Sequence, residues 1–197
     1  MKKRTILVIA GVAAAGALTA GAVRMVGHGS GGLPVVGQVI PPGQRPPGPG
    51  ISGTGLTGQH LDLARWRGSV VVVNFWGAWC VPCRVEAPAL ARVARDTRVL
   101  GVRFAGIDVR EGSATGLVFD QAFRIPYPSI SDPDDLVGAR FGAAAPPATP
   151  STYILDSRGR IAWAWFGSTS YSQLELAVVQ VAGGVNPPAS GVTARSG

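Results

Sequence analysis

The 197-residue chain has only two cysteines, Cys80 and Cys83, and only two histidines, His28 and His60. A bridge between cysteines so close together closes a short loop and restrains the unfolded chain very little, which excludes a disulfide-stapled scaffold. Arg84 stands where c-type haem attachment needs a histidine after the second cysteine. A structural zinc site needs two further Cys or His ligands, and the chain offers only His60 and, in a Gly/Pro-rich stretch, His28. Neither a metal nor a cofactor is expected. Acidic residues are scarce as well, 11 against 18 Lys and Arg, for a net charge of +7. The basic residues are scattered singly outside Lys2-Lys3-Arg4, and no zinc-finger, RRM or basic-zipper pattern accompanies them, so nucleic-acid binding is not expected. What is plentiful is apolar material, 46% of residues against 15% charged, enough for the core of one domain with tails.

Met1-Lys2-Lys3-Arg4 followed by a largely apolar, uncharged stretch over residues 5–23 reads as an export signal. Ala20-Gly21-Ala22 offers a small-residue cleavage site, whereas the length of the stretch is close to a membrane span, so residues 1–26 are expected to be either a signal peptide or a membrane anchor. No cysteine follows directly, which excludes lipoprotein anchoring. In either case the rest of the chain is exported, with an extracytoplasmic location. Residues 27–52 are rich in Gly and Pro and read as a semi-stiff linker, 53–185 as the folded domain and 186–197 as a polar disordered tail.

Within the folded part, Val70-Val71-Val72-Val73-Asn74-Phe75-Trp76 has the nearly continuous apolar character of a central strand buried on both faces. The spacing of Val85, Leu90, Val93 and Ala94 predicts a helix from residue 80 to about 95, with Pro82 in its first turn and a kink at Pro88. A strand over 99–109 and a helix over 114–123 follow. Strand-like runs at 151–156 and 161–166 flank the turn Ser157-Arg158-Gly159-Arg160 as a hairpin, and 171–182 reads as an amphipathic helix. The expected class is α/β, a central mixed sheet flanked by helices.

With haem and zinc excluded, the Cys80-Val81-Pro82-Cys83 run between strand and helix reads as a dithiol/disulfide couple. Its nucleophile must be a thiolate, whereas a free cysteine has a pKa of about 8.5. Cys80 at a helix N-terminus faces unpaired backbone N–H groups and the positive end of the macrodipole, which favour the anion. Cys80 is therefore expected to attack and Cys83, one turn on, to resolve. Trp79 is expected to form an apolar platform beside Cys80, and Trp76 to lie in the core. Glu86 follows Cys83 by three residues and has two readings: a group that affects cysteine titration, or a helix-start glutamate favoured by the dipole or paired with an arginine.

Val73-Asn74-Phe75-Trp76-Gly77-Ala78-Trp79-Cys80-Val81-Pro82-Cys83 resembles the active-site strand and loop of the thioredoxin superfamily, and more closely its exported TlpA/ResA-type branch, DsbE-like proteins included. The resemblance extends over residues 53–183. Leu61-Asp62-Leu63-Ala64-Arg65-Trp66-Arg67-Gly68 is similar to the segment before that branch's central strand, and Tyr127-Pro128-Ser129-Ile130-Ser131-Asp132-Pro133 to its inserted strand and turn. It implies a thioredoxin-like fold with the TlpA-type inserted strand and helix. It also implies a cis-proline loop, matched by Ala148-Thr149-Pro150-Ser151-Thr152, with Pro146 and Pro147 leaving open which bond is cis. Trp79, Pro82, Thr149 and Pro150 would then contact a peptide substrate. Asn74 stands where many thioredoxins carry a buried aspartate, and Glu86 matches a glutamate that takes part in thiol chemistry in ResA-like proteins.

The function implied is reduction of disulfides in exported proteins such as apocytochrome c, with electrons from a membrane thiol-disulfide transporter and no cofactor. The alternatives are an exported oxidase that introduces disulfides, or a membrane-tethered binding protein with an inert disulfide. The Pro-x-x-x-Thr-x-x-Cys setting of a peroxidatic cysteine is absent.

Overall fold

The computed structural model describes residues 36–184. The export segment over 1–26 and the tail over 186–197 lie outside the described residues, as do linker positions 27–35. Among the described residues no helix is long and apolar enough to cross a membrane. The chain runs through β1 (Ser52–Thr54), β2 (His60–Asp62), β3 (Val71–Trp76), α1 (Val81–Asp96), β4 (Arg103–Val109), α2 (Ser113–Phe123), β5 (Ser129–Asp132), α3 (Leu136–Ala139), β6 (Ser151–Leu155), β7 (Ile161–Phe166) and α4 (Tyr171–Ala182).

The valine run forms β3, every residue of which is buried. It is the middle of a five-stranded mixed sheet in the order β5-β4-β3-β6-β7, parallel to β4 and antiparallel to β6. Val72, Phe104, Ile154 and Trp163 pack on one face against Leu90 and Val93 of α1 and Leu174 and Val178 of α4. Val73, Phe75, Ile107 and Tyr153 pack on the other against Val137 of α3 and Phe141, with Ile40, Ile51 and Leu63 completing the layer. Each fully buried side chain of this size contributes about 1.5–3 kcal/mol, so the sheet and its covering layers hold one another in place. The third apolar cluster joins Trp76 and Phe119 of α2, their rings stacked at 4.2 Å, to Cys80 and Cys83.

Two local details differ from the expected pattern. The strand expected over 99–109 starts only at Arg103, because residues 97–100 wind into a 3₁₀ turn that ends at Gly101 with φ +72°. Val85 is 71% exposed; the inward positions of α1 belong to Cys83, Glu86, Ala87, Leu90, Ala91 and Val93.

Residues 36–52, which composition assigns to the linker, lie against the domain. Gly37 N and Ile40 N donate to Ala164 O and Ala162 O, each at 2.8 Å, and Pro46 O accepts from Ile161 N at 2.9 Å. The segment thus covers edge strand β7, whose outer N–H and C=O groups would otherwise stand unpaired. Ile40 and Ile51 are 3% and 1% exposed, and the Arg45 guanidinium meets Asp156 Oδ2 at 3.2 Å. Gly48 is required here: a Cβ at that position would stand 2.5 Å from Gly159 O. The prolines that suggest a spacer supply the extended backbone this edge pairing uses.

Candidate functional site

The sheet ends on the chemistry. β3 and β4 are parallel, so the loops leaving their C-terminal ends, 77–80 and 110–112, emerge together; β6 is antiparallel, so the loop entering its start at Ser151 reaches the same end. The cysteine loop, the Arg110-Glu111 segment and the Thr149-Pro150 loop therefore converge.

Cys80 caps α1 with extended backbone, φ −86° and ψ 107°, and Cys83 lies in the first turn. Their sulfurs are joined in a disulfide at 2.10 Å, and both residues are buried. The Cys83 N–H donates to Cys80 Sγ at 3.2 Å, which makes Cys80 the sulfur that receives the helix N-terminus. Cys80 Sγ also lies 3.7 Å from the carbonyl oxygen of Thr149, and the Thr149-Pro150 bond is cis. Trp79 is 48% exposed, its indole N–H held by Val109 O at 3.1 Å; Val81, at 69%, and Val85 are exposed beside it. The Pro82 carbonyl accepts from Ser168 Oγ at 3.1 Å. Trp79, Cys80, Pro82, Thr149 and Pro150 thus share one end of the fold, with Trp79 and Pro82 exposed, Thr149 half-buried and Cys80 and Pro150 buried.

Glu86 points inward and is 1% exposed. Its Oε1 accepts from Asn74 Nδ2 at 2.9 Å and its Oε2 from Thr169 N at 2.8 Å, while Asn74 Nδ2 also reaches Thr152 Oγ1 at 3.0 Å. Burial pushes its carboxyl up to about 7, against the opposing pull of the bonds from Thr169 and Asn74. Its two oxygens are thus taken by Asn74 and Thr169, so the reading of a glutamate paired with an arginine does not hold. Between Asn74, Cys83, Phe119 and Tyr127 lies a cavity of about 10 Å³, close to the room one water needs.

Residues not singled out from sequence complete the site. The Arg110 guanidinium lies 4.4 Å over the Trp79 ring, donates to Thr149 Oγ1 at 2.9 Å and comes 3.6 Å from Asp135 Oδ2. It thereby ties the cysteine loop to the cis-proline loop. Arg110 has φ +61°, which turns its side chain out while the next residue, Glu111, turns in and accepts the Ala78 N–H at 2.5 Å. Neither residue carries a local sequence signal, since both act across the sheet. Among the described residues no group of three His, Cys, Asp or Glu side chains is placed to hold a metal ion.

The sheet order, the disulfide at the start of α1 and the cis-proline beside it define a thioredoxin-like fold. Residues 43–164 match the sequence profile of the AhpC/TSA family, and the chain belongs to that family. Among curated relatives, the thiol:disulfide interchange protein DsbE of Pseudomonas aeruginosa is 36% identical over 104 residues, 52% of this chain and 54% of that protein. The thiol-disulfide oxidoreductase ResA of Geobacillus thermodenitrificans is 29% identical over 106 residues, 54% and 59% of the two lengths. The match therefore spans little more than half of either relative. Among solved structures, a DsbF homologue from Corynebacterium diphtheriae superposes with a TM-score of 0.67 at 31% identity, covering 72% of this chain and 90% of that one. A secreted thiol-disulfide isomerase from Corynebacterium glutamicum gives 0.70 at 26% identity, covering 74% and 91%.

Proposed function

We propose that the protein is a thiol-disulfide oxidoreductase of the cell envelope that reduces disulfides in exported proteins, apocytochrome c among them. The observation that carries the reading is Cys80 Sγ at the start of α1, receiving the Cys83 N–H and facing the Thr149 carbonyl. In the dithiol form the Cys80 thiolate attacks one sulfur of a client disulfide. A mixed disulfide forms and the first client sulfur leaves as a thiolate. Cys83, deprotonated, then attacks Cys80 Sγ; the Cys80–Cys83 bond forms, the second client thiolate departs, and two electrons have passed to the client. A dithiol carried by a membrane transporter reverses the last bond and recharges the pair.

Each neighbouring group has an assigned part. Trp79 and the exposed Val81 offer the client an apolar surface, Pro82 borders it, and the Thr149-Pro150 backbone receives an extended peptide beside Cys80. Glu86, buried on the cysteine helix and titrating near neutrality, is assigned proton exchange with Cys83. The relatives' names, DsbE and ResA, support the chemistry, and the basic, apolar segment over residues 1–26 supports export.

The test is reduction of insulin and of an oxidised Cys-x-x-Cys-His peptide by the full chain supplied with a dithiol donor. Catalysed reduction lost in Cys80→Ser is expected. Equal inactivity of wild type and variant across several donors would leave the disulfide inert and overturn the proposal.

A further inference from the structure

The strand and loop behind Cys80 carry two carboxyls that the exchange above does not use. Asp108, near the end of β4, is 0% exposed, and neither of its oxygens meets an N–H or O–H donor among the described residues. An ionised carboxylate left so is strongly disfavoured. The side chain within hydrogen-bond reach of it is another carboxyl, that of Glu111, with Asp120 acting from farther off. Two carboxylates repel; the contact becomes a hydrogen bond only when one of them holds a proton.

The surroundings favour Asp108 as the holder. A Cβ on Gly116 of α2 would stand 2.3 Å from Asp108 Oδ2, so the carboxyl lies tight against the helix. The titratable groups that act on it are Glu111 from the following loop and Asp120 from α2, both acids, and burial raises Asp120 as well, to about 7. Its other neighbours are uncharged: Leu56, Trp76 opposite it on β3 and Ser131 on β5. Arg110, between the two acids in sequence, turns away over Trp79. Burial first, then Glu111 and Asp120, push Asp108 well above the usual carboxylate range. Glu111 passes the arrangement on, because its Oε1 takes the N–H of Ala78, two residues before Cys80.

We propose that Asp108 retains a proton and donates it to Glu111, and that the Glu111 carboxylate so fixed positions the Cys80 loop through the Ala78 N–H. The pair is a positioning device. Its value for turnover rests on the reading of Cys80 as nucleophile, but its existence does not.

The full chain with its disulfide closed, labelled with ¹³C and ¹⁵N, tests it at neutral pH. The Asp108 carboxyl carbon is expected at the shift of a protonated acid, and an ionised Asp108 there overturns the proposal. Glu111→Ala is expected to speed hydrogen exchange of the Ala78 amide at least tenfold, and Asp108→Leu to move it in the same direction. Asp108→Asn, whose amide N–H still donates to Glu111, is expected to keep exchange within about twofold of wild type. Unchanged exchange in Glu111→Ala, or equal effects of the Asn and Leu substitutions, overturns the latch. If these results hold in a protein that catalyses no thiol exchange, only the reading of function fails.

Discussion

Asn74 of the central strand gives its amide N–H to Glu86 of the cysteine helix at 2.9 Å, which places a buried carboxyl on the protein side of the Cys80–Cys83 disulfide. The strand contributes the amide here and the helix the buried acid. Its environment sets its titration, and its titration is measurable.

Burial raises the Glu86 pKa from 4.5 to about 7, above its value in the unfolded chain. Between those pH values the folded state binds more protons than the unfolded state. The contribution of this group to stability is therefore full below pH 4.5 and is lost as pH rises towards 7, by up to roughly 3 kcal/mol. Glu86→Gln removes the titration. Urea unfolding of both proteins should show the variant gaining on wild type as pH rises through this window; parallel curves would mean that Glu86 titrates as an exposed acid.

Arg110 joins Trp79 to Thr149, and Arg110→Ala removes the cation–π contact and the hydrogen bond together. A contact of this kind at an exposed site is worth about 0.5–1 kcal/mol. Folding stability should change little, while Trp79 gains mobility: the fraction of tryptophan fluorescence open to iodide quenching should rise, and binding of an oxidised peptide should weaken severalfold.

Gly116 offers a case in which two effects oppose each other. Replacing a helical glycine with alanine ordinarily stabilises by about 1 kcal/mol. Here the new methyl would meet Asp108 Oδ2 at 2.3 Å, and overpacking of a closed site costs about 1–3 kcal/mol. Gly116→Ala should be destabilised in urea, by about 1 kcal/mol net; a more stable variant would mean that Asp108 has room to move.

Ile51 is 1% exposed in the segment that covers the sheet edge and the inner layer. Ile51→Ala should cost about 2–5 kcal/mol, as in a core. A loss under 0.5 kcal/mol, the scale of a surface substitution, would return this segment to the status of a spacer.

What could be read in advance was whatever a short window encodes. The valine run of β3, the turn between β6 and β7 and the apolar spacing of α4 each declare themselves within a dozen residues. Cys80 and Cys83 lie within one short motif, whereas Pro150 is pointed to by the resemblance and only the fold shows the Thr149-Pro150 bond to be cis. The rest depends on partners distant in sequence: Glu86 turns inward because Asn74 and Thr169 receive it, and Arg110 matters because β4 ends beside both Trp79 and Thr149. Periodicity placed Val85 on the apolar face, yet Val85 is exposed and Glu86 takes an inward position. Residues 36–52 show the same limit, since composition reports an extended chain but not the edge it covers.

The central claim is that Cys80 and Cys83 form a reversible couple poised to reduce. Equilibration of the full chain with glutathione buffers, followed by trapping of the free thiols, measures it directly. A single two-electron transition near thioredoxin's potential, about −270 mV, is the result the account predicts, whereas a value near that of the strong oxidants, about −120 mV, would contradict it.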